Sequence, residues 1–209
     1  MAFTATTANT EVRSLLNEAT PSFWSDTEID SWVAQGCLDW CEKSLLYLKQ
    51  DTITLVTNQV QYTISGSSFI DNAIFTIHAE YNNIALQRIT YEQLRGHNQM
   101  ELSTATTPKY YYDRYNGTTF TFYIGPKPSV TFNGTNVTVM FAMRTDDIAD
   151  IPYEYQQVVF QYAYSKAKIK ERQFQEAALA WQQYINNINF ARRDSLERSV
   201  MPTGAFRIQ

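Results

Sequence analysis

Apolar residues recur at helical spacing in the first quarter of the chain. Thr10 is placed to cap a short helix, which has to end before Pro21. A second helix start follows, because Ser25 and Glu28 have the spacing of a capping box. The pattern beyond it predicts a longer helix that ends near Tyr47. Its predicted apolar side consists of Ile29, Trp32, Val33, Trp40, Cys41 and Leu45.

Between residues 51 and 144 the hydrophobic pattern changes to a period of two. Thr, Tyr and branched aliphatic residues alternate there, which is typical of β-strands. The Asn116-Gly117 pair gives the clearest hairpin signal, and a short helix is predicted from Tyr91 to Arg95. We therefore predict an antiparallel sheet or a small sandwich. The predicted strands cover residues 53–56, 60–64, 74–77, 109–115, 118–124 and 137–143.

Helical spacing returns in the last quarter of the chain. Pro152 sits at a natural first helical position, and the apolar pattern behind it is interrupted at the polar segment Glu171-Arg172-Gln173. Two antiparallel helices, or one bent helix, would account for this pattern. After Arg193 the pattern decays, so we predict an extended C-terminal tail over residues 195–209.

These patterns predict an α+β fold in which the two ends of the chain form one helical bundle. Residues 1–50 and 145–194 are assigned to the bundle, and residues 51–144 to a β-sheet or sandwich inserted between them. Neither helical segment has enough apolar surface to form a core alone, so the two are expected to pack together. The side chains expected in that shared core are Trp32, Trp40, Phe160 and Trp181.

Charge is distributed unevenly along the 209 residues, although the formal net charge is only −4. Residues 1–164 hold 9 Lys and Arg against 17 Asp and Glu, whereas residues 165–209 hold 8 against 4. The basic C-terminal part is either a solvated helix with a tail or a segment that meets an acidic partner. An acidic body would repel phosphate, so nucleic acid is not favoured as a binding partner.

Motifs of catalysis and cofactor binding are missing from the sequence. It has no phosphate-binding loop, no G-x-S-x-G and no H-E-x-x-H, so we predict neither an enzyme nor a cofactor. Cys37 and Cys41 are either buried small side chains or a thiol pair. The acidic residues Asp146, Asp147 and Asp150 form either a solvated linker or a cation site.

Membrane association is also not predicted. No run of apolar residues is long enough for a membrane span, and the first nine residues lack the features of a secretory signal. We therefore expect a soluble protein that is made in the cytoplasm.

Four tyrosines, Tyr110, Tyr111, Tyr112 and Tyr115, crowd one predicted strand and place aromatic rings on both of its faces. Core packing explains one face of the strand. The other face is covered either by another layer of the same chain or by another subunit. The four tyrosines are therefore candidates for a subunit interface.

The C-terminal segment combines positive charge with separated apolar residues. Such a tail is either disordered or becomes ordered on a partner, where arginine binds carboxylates and apolar side chains fill pockets. The residues that would make these contacts are Arg192, Arg193, Arg198, Met201, Phe206, Arg207 and Ile208.

The order of elements resembles that of the head-to-tail adaptor proteins of tailed bacteriophages. Two segments are motif-like. Residues 23–33 begin with Phe23-Trp24-Ser25-Asp26-Thr27-Glu28-Ile29, and residues 151–184 begin with Ile151-Pro152-Tyr153-Glu154-Tyr155. Gln35-Gly36 departs from what a long straight helix would favour.

The resemblance implies a structural protein of the virion neck. It implies a ring of about twelve identical subunits that docks on the portal ring, contacts other neck or tail proteins, and leaves a channel for DNA. The helices would form the ring wall, the β part would face the tail, and the C-terminal segment would bind the portal. The alternative from another class is a monomeric or trimeric β-rich tail or receptor-binding module, which the size of the particle in solution would distinguish.

Overall fold

The computed structural model of the chain describes residues 3–18, 20–64, 72–96, 107–115 and 119–200, with the backbone alone for residues 94–96 and 194–200. The chain divides into two compact units. The first, Met1–Tyr47 with Arg144–Gln209, is called the helical unit below, and the second, Leu48–Met143, the β unit. The α+β fold class predicted from the sequence is confirmed.

Five helices lie within the described residues. They are α1 (Ala5–Leu15), α2 (Asp26–Ser44), α3 (Tyr91–Gly96), α4 (Tyr153–Lys170) and α5 (Phe174–Val200). Helix α3 belongs to the β unit, and the other four form the helical unit. Helix α4 packs against α1, α2 and α5, so the expectation that the two ends of the chain share one bundle is confirmed. No helix in the described ranges is both long and apolar enough to span a bilayer.

The capping signals explain where the first two helices begin. Helix α2 starts at the predicted capping box, in which the Ser25 side chain accepts from the backbone of Glu28 and the Glu28 side chain accepts from the backbone of Ser25. It ends at Leu45, which has a left-handed φ of 60°. Helix α1 starts earlier than predicted, because Thr4 and Thr7 form a capping box of their own and Thr10 lies inside the helix. The stretch around Thr7 is Thr- and Ala-rich and gave no apolar pattern to reveal it.

The core of the helical unit contains only part of the predicted aromatic set. Trp40 and Phe160 are fully buried, as predicted. Trp32 is only half-buried, because it lies beside the buried stripe of α2 rather than within it. Trp181 is 37% exposed: it packs on Tyr162 and Tyr184, with ring centroids 5.8 and 5.3 Å away.

Helices α2 and α4 cross closely at Gly36. A Cβ atom at Gly36 would lie 3.1 Å from Val159 Cγ1 and 3.2 Å from Tyr162 Cδ1, so even a methyl group would be crowded and a larger side chain would push the two helices apart. This explains the glycine in the middle of a long helix. The glycine lowers helix propensity, but it lets the two backbones approach.

Replacing Gly36 by leucine is expected to destabilise the protein by about 1 to 3 kcal/mol, because overpacking forces α2 and α4 apart. Chemical denaturation measures the loss. The control is Gln35→Leu at the neighbouring exposed position, which should change stability by less than about 0.5 kcal/mol. Equal stability of the two variants would show that the helices are not in close contact at Gly36.

Helices α4 and α5 are antiparallel and joined by a tight turn. Arg172 adopts a left-handed φ of 64°, and the break predicted at Glu171-Arg172-Gln173 is confirmed. Helix α5 then runs to Val200, so the prediction that the helix ends near Arg193 and that an extended tail begins at residue 195 is wrong. Leu, Glu and Arg, which are good helix formers, continue the helix where the apolar pattern has stopped.

The described part of the β unit contains eight strands in two sheets. The strands are β1 (Leu48–Thr54), β2 (Gln61–Ile64), β3 (Ala73–Tyr81), β4 (Ile84–Ala85), β5 (Gln87–Arg88), β6 (Tyr110–Tyr115), β7 (Phe120–Gly125) and β8 (Asn136–Met143). One sheet has the antiparallel order β1-β8-β3-β4. The other has the order β2-β7-β6-β5, in which only the short β5 pairs in parallel.

The two sheets share an aromatic core. Phe141 of β8 packs against Phe120 and Phe122 of β7, with ring centroids 5.2 and 5.8 Å apart. This is the small sandwich that the sequence left open beside a single sheet. Strands β6 and β7 pair in antiparallel register from Tyr115 with Phe120, and the predicted Asn116-Gly117 turn between them lies outside the described residues.

Candidate contact surfaces

The tyrosines of β6 are divided between the two faces of their sheet. Tyr110 and Tyr112 lie on the outer face, where Tyr112 contacts Tyr91 of α3 and Tyr123 of β7, each with ring centroids 5.8 Å apart. We call these four residues the tyrosine surface. Tyr91 is about half exposed, so this surface presents aromatic rings to solvent.

The other two interface candidates point to the inner face. Tyr111 is 2% exposed, and burial raises the pKa of its hydroxyl. Tyr115 stacks on Phe120 with ring centroids 4.7 Å apart. Tyr111 is therefore a core residue and Tyr115 is only half-buried, whereas Tyr110 and Tyr112 are the candidates that lie on the outer face.

Arg88 of β5 holds the edge of the same sheet. Its Nη2 atom lies 2.9 Å from the buried Oδ1 atom of Asp113 on β6. Asp113 is buried and Arg88 is half exposed. Their ion pair joins the short parallel strand β5 to β6. The strand that carries the tyrosine surface is thus paired on both sides.

Helix α5 exposes more apolar surface than its packing in the bundle requires. Phe174, Leu179 and Phe190 are 65%, 67% and 69% exposed, although the helix buries a separate apolar stripe against α2 and α4. Scattered exposed apolar residues are ordinary, but several large ones along one helix indicate a contact surface.

One groove beside α5 combines apolar and basic residues. It encloses about 400 Å³ and is lined by Lys166, Ile169, Phe174, Ala177, Ala178 and Trp181. Lys166 Nζ lies 5.1 Å from the centroid of the Tyr162 ring, and Arg172 is exposed at the adjoining turn. We call Lys166, Ile169, Arg172, Phe174 and Trp181 the basic surface.

A second groove lies between α1 and α2 and is polar. It encloses about 410 Å³, and Asp26 and Asp30 lie along it. Arg13 forms its buried base: the guanidinium donates to Asp26 Oδ1 at 2.6 Å and to the backbone carbonyl of Trp24 at 3.0 Å. Asp30 accepts from Asn9 Nδ2 at 2.8 Å. We call this the acidic groove.

A third groove, of about 380 Å³, lies where the end of α1 approaches α4 and α5. The exposed side chains of Leu15 and Leu179 form its walls, and Tyr164 lies between them with its hydroxyl 3.3 Å from Glu176 Oε2. Its lining is mostly apolar, with Glu176 as the charged residue.

Only the start of the predicted portal-binding segment falls within the described residues. Arg192 and Arg193 are exposed on α5. Arg198 lies on the same helix, but its side chain is outside the described part. Met201, Phe206, Arg207 and Ile208 all lie outside the described residues.

The two cysteines considered as a possible thiol pair lie in the buried core. Cys37 and Cys41 are free and buried, as small side chains would be, and burial raises the pKa of Cys41 to about 11 and that of Cys37 still further above its usual value. Both thiols are therefore protonated at neutral pH, which disfavours nucleophilic chemistry.

Asp147 and Asp150, which the sequence offered as part of a solvated linker or a cation site, accept hydrogen bonds from neighbouring groups. Asp147 caps a short 3-10 turn by accepting from the backbone of Ala149. Asp150 accepts from the hydroxyls of Tyr47 and Thr145 at 2.9 and 3.0 Å.

Sequence reasoning missed the basic surface and the acidic groove. The signal for the first was present, because Phe174 and Trp181 fall beside the buried stripe of α5 rather than on it. A helical pattern wider than one packing side indicates a second contact. The acidic groove gave no such signal, since it depends on how α1 lies against α2.

Both units expose aromatic and charged side chains within the described residues, which is typical of a protein that acts through contacts with other proteins. The family model described as SU10 adaptor protein matches residues 3–204, so the chain belongs to this family of phage head-to-tail adaptors. No curated protein matches the chain significantly. Membership in a structural adaptor family indicates a non-enzymatic role in the virion, in contact with other head or tail proteins.

Proposed function

We propose that the chain forms a ring of about twelve subunits that docks on the portal, joins it to the tail and leaves a channel for DNA. The observation that carries this proposal is the exposed apolar and aromatic surface on both units of a family member, above all Phe174, Leu179 and Phe190 of α5. A subunit inside a ring has two neighbours and a partner at each end, so it needs several such surfaces.

The C-terminal segment is proposed as the portal anchor. Arg192 and Arg193 place positive charge near the end of α5, and Met201, Phe206 and Ile208 follow in the sequence. Arginine binds carboxylates through two hydrogen bonds, and the apolar residues would fill pockets on the portal. DNA is cargo in this proposal, and the acidic body of the protein would not hold it.

The tyrosine surface is proposed as part of the contact between neighbouring subunits. Tyrosine is enriched at protein interfaces because it combines a large apolar ring with a hydrogen-bonding hydroxyl. Of the four tyrosines of β6, Tyr110 and Tyr112 lie on the outer face of their sheet.

The Tyr110→Asp variant is expected to fold, but its assembled fraction should fall at least about tenfold, because a carboxylate would be buried without a partner in the interface. Native mass spectrometry measures the assemblies, and circular dichroism checks the fold. Asn83→Asp adds the same charge in an exposed turn and should assemble normally. Normal assembly of Tyr110→Asp would remove this face from the interface.

The function itself is tested with phage particles that lack the protein. Heads made without it are expected to package DNA but not to receive tails, and the purified protein should restore tail attachment and infectivity. Heads that join tails normally without it would contradict the adaptor role in this phage.

A further inference from the structure

The basic surface and the acidic groove lie on different sides of the helical unit. On α4, the Phe160 ring contacts Phe3, just before α1, at 5.0 Å, whereas Tyr162 contacts Trp181 and Tyr184 of α5. Residues two apart on a helix point in nearly opposite directions. The segment before α1 and the side chains of α5 therefore contact different sides of α4, although the end of α1 and the start of α5 together line the third groove. The acidic groove and the basic surface can thus meet two different neighbours.

Each surface has charges that the helical unit leaves without an opposite charge. Lys166 and Arg172 form no ion pair with any described residue, whereas Lys168 pairs with Glu171 and Lys170 pairs with Glu28. On the other side Asp26 is paired with Arg13. Asp30 has only the neutral amide of Asn9 as a hydrogen-bond partner among the described residues. One side thus has surplus positive charge, and the other has surplus negative charge.

An exposed aromatic residue at the rim of the basic surface can fill the acidic groove. The exposed Phe174 projects from the start of α5, beside the exposed Ile169. The acidic groove is open to solvent and has small residues along it, including Ala5, Thr6 and Pro21. A projecting aromatic residue that enters a groove between two helices, with charged pairs around it, has the anatomy of a protein interface.

We propose that the basic surface of one subunit binds the acidic groove of the next, with Lys166 and Arg172 facing Asp30 and Phe174 entering the groove. The contact joins two different patches of the same chain, so it repeats from subunit to subunit and closes a ring when the rotation allows. This inference rests on the proposed ring and identifies two surfaces that would hold neighbouring subunits of the ring together. The partner is a second copy of this chain, because the chain itself carries the complementary charge.

Two charge reversals test the contact by complementation. Lys166→Glu alone places like charges in every contact of the ring, and so does Asp30→Lys alone, so each is expected to reduce ring formation at least about tenfold. An equal mixture of the two variants can alternate around the ring, and every contact then has opposite charges. The mixture is expected to recover most of the wild-type assembly on portal rings of the same phage, as measured by native mass spectrometry.

This design separates a lost contact from a lost fold, because a misfolded variant cannot be rescued by a second variant. Lys127→Glu, a reversal in the β unit, is the control and should assemble as wild type does. If the wild-type chain forms rings but the mixture does not recover, or if each variant assembles normally alone, the proposed contact is wrong and the ring stands. If the wild-type chain forms no ring on portals, both the ring and the contact are wrong.

Discussion

Trp40→Ala is expected to lower the free energy of unfolding by about 3 to 5 kcal/mol, which is the usual loss for truncating a large buried aromatic residue. Trp40 is fully buried in α2, and its ring lies 5.3 Å from that of Tyr155 on α4. The indole Nε1 has no hydrogen-bond partner in the described part of the chain, so the expected loss is one of packing. The truncation leaves a cavity between helices from the two ends of the sequence.

Trp32→Ala is the matched control on the same helix. Its side chain is only half-buried, so its truncation should cost clearly less than that of Trp40. Urea denaturation followed by circular dichroism measures both variants. A Trp40 variant as stable as wild type, or a larger loss at Trp32, would mean that the core of the helical unit is placed wrongly.

Deleting residues 201–209 is expected to abolish attachment to the portal while the melting temperature stays within about 2 °C of the wild-type value. The deletion begins after Val200 because α5 extends to that residue, so the helix keeps its full length. The deleted segment contains Met201, Phe206, Arg207 and Ile208. Cosedimentation with purified portal rings measures attachment.

A milder variant identifies which part of the segment binds. Replacing Phe206 and Ile208 by serine keeps the length and the charge of the segment but removes its apolar anchors. It should weaken attachment strongly if those side chains fill pockets on the portal. A deletion variant that cosediments like wild type would show that the anchor lies elsewhere, and α5 with Arg192 and Arg193 would be tested next.

Local signals in the sequence predicted much of the fold. The Ser25 and Glu28 capping box starts α2 because both of its hydrogen bonds are made within four residues. The turn at Arg172 was predicted because a polar interruption separates two apolar patterns. Trp40 belongs to the apolar side predicted for α2, and both Trp40 and Phe160 are buried as predicted.

The errors lie where a boundary or a side chain depends on distant parts of the chain. Trp32 and Trp181 have the right spacing but lie at the edge of their stripes, where the neighbouring helix decides the burial. Among the tyrosines, alternation showed that β6 has two aromatic faces, but only the sandwich reveals that Tyr111 faces the core. The acidic groove requires α1 and α2 to lie side by side, which no local pattern encodes.

The ring on the portal is tested most directly by electron microscopy of the full chain mixed with portal rings of the same phage. The account predicts a closed ring of about twelve copies seated on one end of the portal, with an open channel along the shared axis. A chain that stays monomeric or trimeric beside intact, undecorated portals would contradict it.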